Sequence, residues 1–258
     1  MIRLKPGRFD GLIKSRDELQ HMRDAGRELA SVRRKILEAV APGISTKELD
    51  QIAQSGIEEL GAKPAFLNYR GFPATICASI NEEVVHGIPS SKRKLREGDI
   101  VSIDVGLIHY GFYSDTAVTV AVGEISDQLE RLLQVTSESL DKGIAAFQKG
   151  NRLGDISSAI QKHAEGAGFS VVKEYTGHAI GREMHEDPRI KNFGMAGTGL
   201  RLREGMVFAL EPMVNVGVGG TRELEDGWTV VTADRKPSAH FEHTVALTAD
   251  GPEILTKE

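Results

Sequence analysis

Apolar residues recur along this chain with two periods, and the switches between them lay out its elements. Ser15-Arg16-Asp17-Glu18 is a Ser-x-x-Glu word that caps helices, and apolar residues follow at Leu19, Met22, Leu29, Val32, Ile36 and Val40. That spacing predicts a long amphipathic helix stopping before Pro42 and Gly43. Ser45-Thr46-Lys47-Glu48 repeats the capping word. Leu49, Ile52, Ile57 and Leu60 form its stripe, with Gly61 as its C-terminal cap. "ATICASINEEVV" (74–85) and then 100–122 are strand-like. "SDQLERLLQVTSESLDKGIAAFQ" predicts a third helix and "GDISSAIQKHAEGAG" a fourth, starting at Asp155. Strands return around 171–175, 206–216, 228–233 and 241–248.

The order helix, helix, strands therefore occurs twice, and the words agree with it. "LREGDIVSID" (95–104) aligns with "LREGMVFALE" (202–211), with four identities and an acid nine positions after each leucine. "DTAVTVAVG" from Asp115 and "EHTVALTADG" from Glu242 match in the same order. We expect one domain over 1–258, built from pseudo-symmetric halves at about 13–123 and 124–255. Its two sheets should meet so that their acids converge.

Those acids are the chemical anomaly. Asp104, Asp115, Glu211 and Glu242 lie in or at the ends of apolar strands. A buried carboxylate is costly unless it is paired, protonated or bound to a metal. Ordinary ion pairs would explain any one of them. Four at corresponding places in two halves suit two divalent cations, which would balance four negative charges with oxygen ligands and some imidazole.

Composition narrows the class without naming a reaction. The chain has 258 residues, 40% hydrophobic and 27% charged, with net charge -5 and one cysteine. Such a chain builds a sizeable core, does not bind polyanions as a whole, and has no internal disulfide framework. No apolar run suggests a leader or a membrane span, so a soluble cytoplasmic protein is expected. There are 28 glycines, about 11% against a usual ~7%, which implies many tight turns.

Among the histidines, three sit in suggestive settings. His178 is flanked by Gly177 and Gly181, which would let the backbone turn its ring toward a site. His185 precedes Glu186 and Asp187, and His86 stands before a Gly-Ile-Pro turn. His21 and His163 fall within helices and His109 in a hairpin turn. His240 and His243 flank Glu242, and His243 should point away from it by strand alternation. None of these five receives a role. Other machineries lack their words. Arg189 stands where a second histidine of H-E-x-x-H would be, and no P-loop, G-x-S-x-G elbow or paired C-x-x-C occurs. Cys77, in an apolar segment, is expected to pack or to line a pocket.

Asp104, Asp115, His178, Glu211 and Glu242, in that order, resemble the metal set of the type I methionine aminopeptidase family. The surrounding words match as well: "SINEEVVHGIP", "GDIVSIDVG", "GFYSDTA", "TGHAIG", "HEDP", "EPMVN" and "FEHT", over about residues 13 to 255. The resemblance implies an α+β, pseudo-twofold pita-bread fold, a curved antiparallel sheet covered by helices. It implies two divalent ions (Co, Mn, Fe or Zn). Asp104 would hold one, His178 and Glu211 the other, and Asp115 and Glu242 would bridge them. The reaction would be hydrolytic removal of the initiator methionine from nascent polypeptides, favouring a small second residue, by water activated between the ions. Glu211 would accept the proton, His185 would donate to the oxyanion, and His86 would contact the scissile nitrogen. Tyr69, Phe72, Cys77 and Trp228 would line the methionine pocket, with Phe66 and Met184 nearby. Plain core packing is the alternative for Trp228.

Three other outcomes stay open at this stage. One is an Xaa-Pro peptidase of the same fold. Another is a binding module that has lost the chemistry, and the third a metal-stabilised structural protein. "SSKRKLRE" (90–97) is a basic loop. Its simplest role is a solvated turn; the sharper one is a transient contact with ribosomal RNA. A monomer without membrane association is expected.

Overall fold

The computed structural model describes residues 11–257, so residues 1–10, where no leader was read, lie outside the described residues. Four helices form: α1 (Arg16–Glu38), α2 (Thr46–Glu59), α3 (Asp127–Ala146) and α4 (Leu153–Gly166). The two predicted capping boxes close. Ser15 and Ser45 accept the backbone N–H of Glu18 and Glu48 at 3.2 and 3.3 Å. Each glutamate in turn accepts its serine's N–H at 2.8 Å. α4 starts two residues earlier than the sequence suggested. Asp155 is not the cap but a first-turn acid, accepting the N–H of Arg152 at 2.7 Å.

The strands, in chain order, are β1 (Lys63–Pro64), β2 (Ile76–Ile80), β3 (Glu83–Val85), β4 (Ile100–His109), β5 (Phe112–Ala121), β6 (Ser170–Val171), β7 (Thr176–Ala179) and β8 (Glu186–Lys191). They continue as β9 (Val207–Leu210), β10 (Met213–Asn215), β11 (Thr221–Glu223), β12 (Val230–Thr232), β13 (Ser238–His240), β14 (Glu242–Thr248) and β15 (Gly251–Ile254). A nine-stranded sheet runs β1-β4-β5-β14-β9-β7-β8, with β2 on β4 and β15 on β14, antiparallel at every pairing. Two small sheets, β13-β10-β6 and β11-β12-β3, complete the molecule. The expected meeting of two sheets is instead one continuous sheet. β5 and β14 join the halves by pairing Glu242 with Ala117 and His243 with Thr116.

The repeated words have a physical meaning at this junction. Leu95 and Leu202 are both buried at 1% exposure. Each accepts the N–H of a left-handed glycine, Gly43 (φ 96°) for the first and Gly150 (φ 95°) for the second. Gly98 (φ 87°) and Gly205 (φ 88°) follow, donating to Val122 and Leu247 at 2.9 and 2.8 Å. Two residues later β4 and β9 begin. A left-handed backbone is cheap only for glycine, so the glycine of each LREG word lets the chain bend into its strand.

Helices cover the sheet half by half. Leu29, Val32, Ile36, Leu49 and Ile57 from α1 and α2 pack on Ile103 and Val105. Leu132, Leu140, Ile156 and Ile160 from α3 and α4 pack with Phe147 and Phe208, whose rings stack at 4.8 Å.

Several short strands were not predicted: β1, β7, which carries His178, β8, β11, β13 and β15. β8 reads Glu-Asp-Pro-Arg-Ile-Lys and closes one edge of the sheet, where a proline and charges are tolerated and no alternation is needed. The expected strand at 206–216 splits into β9 and β10 around Glu211 and Pro212, and that break carries one of the acids. The segment 171–175 keeps only β6, and 228–233 shrinks to β12.

Candidate metal centre

The acids arrive by separate routes. Asp104 lies mid-way along β4 and Asp115 inside β5. Glu211 follows β9 directly, and Glu242 is the first residue of β14. Thr244 fixes the register between the halves: Asp115 N–H donates to its Oγ1 at 3.1 Å, and that hydroxyl donates back to the Asp115 carbonyl at 2.8 Å. Thr116 Oγ1 donates to the Glu242 carbonyl at 2.9 Å. Neighbouring side chains thus lock the backbones that carry both central acids.

His178 projects from β7 against them. Its Nδ1 lies 3.1 Å from the Ala179 carbonyl, which can only accept, so Nδ1 bears the proton and Nε2 presents a lone pair. That nitrogen is 3.5 Å from Glu211 Oε1 and 3.9 Å from Asp115 Oδ2. Burial, then the charges of its neighbours, hold its pKa down to about 3, so it is neutral at pH 7. The flanking glycines act by size rather than by turning the ring. A Cβ on Gly177 would lie 2.4 Å from the Ala209 carbonyl oxygen of β9, and one on Gly181 2.4 Å from Lys14 Nζ.

Charge identifies what the site holds. Burial, opposed by a bond from Asp115, raises the Asp104 carboxyl to about 7. Burial first, then mutual repulsion, pushes Asp115, Glu211 and Glu242 well above their usual range. Asp104 Oδ1, Asp115 Oδ1 and Glu242 Oε1 are buried with no hydrogen-bond partner. Ligand atoms of Asp115, His178 and Glu242 lie within 4.8 Å of one another. Orphaned carboxylate oxygens beside an imidazole lone pair are a donor set for hard or borderline divalent cations, so the residues fit a metal.

Above the acids opens a cavity of about 590 Å³. All six pocket residues expected from the sequence line it: Phe66, Tyr69, Phe72, Cys77, Met184 and Trp228. Phe72 meets Trp228 edge to face at 5.1 Å between ring centroids. Cys77 sits opposite Asp104 across β2 and β4, and burial pushes its thiol well up, so it is no nucleophile.

Two further histidines face the cavity. His86 holds a left-handed backbone (φ 61°) before Gly87, where a Cβ would lie 2.4 Å from the Ala78 carbonyl oxygen. That turn aims its ring between Tyr175 and Trp228, with centroids 5.8 and 6.2 Å away. His185 Nδ1 lies 2.8 Å from the Tyr69 hydroxyl. Burial, then the Arg189 and Arg70 cations, lowers its pKa to about 4. Its loop is pinned by Glu186, which accepts from buried Lys14 and from the Arg182 N–H, both at 2.8 Å.

Of the five histidines given no role, four belong elsewhere. His163 pairs with Glu138, His109 with Glu28, His21 stacks on Tyr110, and His243 turns to Thr256 as alternation required. His240 is different. It is buried, lines the cavity, and its Nε2 is 3.7 Å from Glu211 Oε2. Sequence reasoning missed it. Its one signal was alternation, which puts residues 240 and 242 on the same side wherever a strand continues.

Comparison with known proteins agrees with this geometry. The model of metallopeptidase family M24 matches residues 20–249. The chain is 51% identical over 245 residues to a methionine aminopeptidase of Clostridium perfringens, covering 95% of this chain and 98% of that one. It is 51% identical over 246 residues to methionine aminopeptidase 1 of Bacillus subtilis, covering 95% and 99%. Its structure resembles the crystal structure of the Rickettsia prowazekii methionine aminopeptidase, with a TM-score of 0.93, 46% identity, and 95% and 98% of the two chains covered. Prolidase from Pyrococcus furiosus shares the fold, with a TM-score of 0.79 at 22% identity over 97% of this chain and 67% of that one.

Proposed function

The chain belongs to metallopeptidase family M24 and uses divalent metal, and from that premise we propose that it removes the initiator methionine from the N-terminus of nascent proteins, favouring a small second residue. One observation carries this reading: four carboxylates and His178 converge at the floor of a cavity walled by Phe66, Tyr69, Phe72, Cys77, Met184 and Trp228. A floor that holds metal and a wall that fits a thioether are what N-terminal methionine hydrolysis needs.

Asp104, Asp115, His178, Glu211 and Glu242 would hold two divalent ions, drawn from Co, Mn, Fe or Zn. When bound, such ions lower the pKa of water to near neutrality and polarise a carbonyl. Glu211 would accept the proton of the attacking water, its carboxylate lying beside the other acids with Oε1 3.5 Å from His178 Nε2. His185 is neutral at pH 7. With the Tyr69 hydroxyl donating to Nδ1, its Nε2–H remains free to bond the developing oxyanion. His86 faces the scissile nitrogen, held by its left-handed turn.

The protein would act as a monomer in the cytoplasm, its halves 13–123 and 124–255 forming one catalytic domain. Among the described residues no helix is long and apolar enough to cross a membrane. In the basic loop, Arg93 bonds Glu83 and the Ile88 carbonyl while Lys92, Lys94 and Arg96 face outward. Those outward cations suit a transient contact with ribosomal RNA. Lys92→Glu with Lys94→Glu should weaken ribosome co-sedimentation without slowing peptide hydrolysis, and unchanged sedimentation removes that contact.

The central test is release of free methionine from Met-Ala-Ser by metal-stripped protein with Mn, Co, Fe or Zn restored, beside Glu211→Gln. Metal-dependent release abolished in the variant is expected. Hydrolysis of Ala-Pro peptides instead would transfer the site to the Xaa-Pro class. Absence of both, from folded protein that binds metal, would leave a structural metal site.

A further inference from the structure

His240 Nε2 is buried and has no hydrogen-bond partner, like the ligand oxygens of Asp104, Asp115 and Glu242. Its ring is 2% exposed, so water does not satisfy it. The backbone that carries it is fixed from two sides. Its N–H donates to Thr119 Oγ1 at 2.8 Å, Thr119 Oγ1 donates to its carbonyl at 2.9 Å, and β10 pairs it with Met213. Ser102 Oγ lies 2.8 Å from Thr119 Oγ1 and holds that hydroxyl in turn.

Glu211 consequently stands between two imidazoles, with Oε1 toward His178 Nε2 at 3.5 Å and Oε2 toward His240 Nε2 at 3.7 Å. The two rings differ in what they present. His178 spends its proton on the Ala179 carbonyl and offers a lone pair. His240 Nε2 faces a carboxylate oxygen, which favours the tautomer bearing the proton there.

We propose that His240 is a positioning residue of the metal centre: its Nε2–H donates to Glu211 Oε2 and keeps Oε1 turned toward His178. This rests on the metallopeptidase reading above. The gap of 3.7 Å is longer than a hydrogen bond. A shift of about 0.5 Å in the Glu211 carboxyl would bring the pair within hydrogen-bonding range. Burial keeps the ring neutral, with a pKa near 3. His240 thus orients a ligand without adding charge, as hydrogen-bonding partners of metal ligands do.

The test compares wild type, His240→Leu and His240→Gln, whose amide nitrogen reaches as far as imidazole Nε2. Each is stripped of metal, titrated with Co(II) by calorimetry and visible absorption, melted, and assayed on Met-Ala-Ser. In His240→Leu the weaker binding step should loosen about 10- to 100-fold. Its kcat should fall while KM holds, and His240→Gln should restore both. Leu-variant titration and kcat equal to wild type would overturn the proposal. So would a Gln variant that melts like wild type yet restores nothing, because the imidazole lone pair would then be what matters. If His240→Leu does not fold, His240→Asn, polar but too short to reach Glu211, replaces it with the same expectations. A wild type that binds Co(II) but releases no methionine would sink the peptidase reading, while the titrations still decide the role of His240.

Discussion

The N-terminal half turns from β4 into β5 through Tyr110 and Gly111, whereas the C-terminal half leaves β9 at Leu210 and re-enters the sheet only at Glu242. In both halves the same buried leucine and left-handed glycine lead into the sheet, and acids sit on or directly after its paired strands. The difference lies in what stands between the strands. In the first half it is a tight hairpin. In the second it is a run of short strands carrying Trp228 and His240, with Trp228 lying edge-on to Phe72 of the first half. The shared frame places the four acids, and the extra segment of the second half adds Trp228 and His240 to the cavity wall.

The sharpest attempt to break this division acts on the frame. Glu211→Gln keeps the shape and removes the proposed proton acceptor, so kcat/KM for Met-Ala-Ser should fall by about 10²- to 10⁴-fold, the usual weight of a general base. A fall under tenfold would mean that proton transfer is handled elsewhere.

Trp228→Ala acts on the extra segment and should separate the two functions. We expect kcat/KM for Met-Ala-Ser to fall by roughly 10- to 200-fold, the scale of lost apolar pocket contacts. Metal titration should match wild type. A parallel loss of metal would show that the segment also supports the frame.

Removing metal exposes the charge held in the frame. Above about pH 7.5 the histidines with lowered pKa are neutral in the folded state and nearly so in the unfolded one, whose histidines titrate near 6.5, so the acids dominate. Their folded pKa values are raised, Asp104 to about 7 and the others further, so the folded state binds more protons than the unfolded one. Stability then falls as pH rises. Metal-free protein should melt lower at pH 9 than at pH 7.5, and added metal should raise Tm and flatten that slope. A metal-free Tm independent of pH over this window would contradict the raised carboxyls.

The smallest effect compares the repeated glycines. Gly98→Ala should destabilise by about 1–2 kcal/mol, the strain of a left-handed alanine. Gly205→Ala should cost more, because its Cβ would lie 2.7 Å from Ile13 Cγ2 and 2.9 Å from the Lys14 carbonyl oxygen, whereas the nearest atom at Gly98 is 3.8 Å away. Equal denaturation midpoints would mean that the segment at Ile13 and Lys14 yields freely.

What could be read in the chain follows from which rules it breaks. Asp104, Asp115, Glu211 and Glu242 stood out because charge inside apolar strands needs an explanation, and the repeat linked them. Ser15 and Ser45 marked two helix starts because capping is a contact over three residues. β8 was invisible, since an edge strand of charged residues has no periodicity of its own. Gly177 and Gly181 were visible but misread, because the close approach of Gly177 to β9 and of Gly181 to Lys14 leaves no trace in either segment alone. His240 looked like a bystander to Glu242, although it faces Glu211, a residue of a different strand connection.

The sequence by itself determined the four helices with the caps of the first two, the repeated halves and the identity of the acids, all matters of local chemistry or of pattern. Only the tertiary structure decided that the halves share one sheet across β5 and β14. It alone placed His178 and His240 on opposite oxygens of Glu211 and closed Phe72 against Trp228. The reason is physical: these contacts join residues far apart in the chain, and their geometry is set by how the sheet curves and packs rather than by any neighbour in sequence.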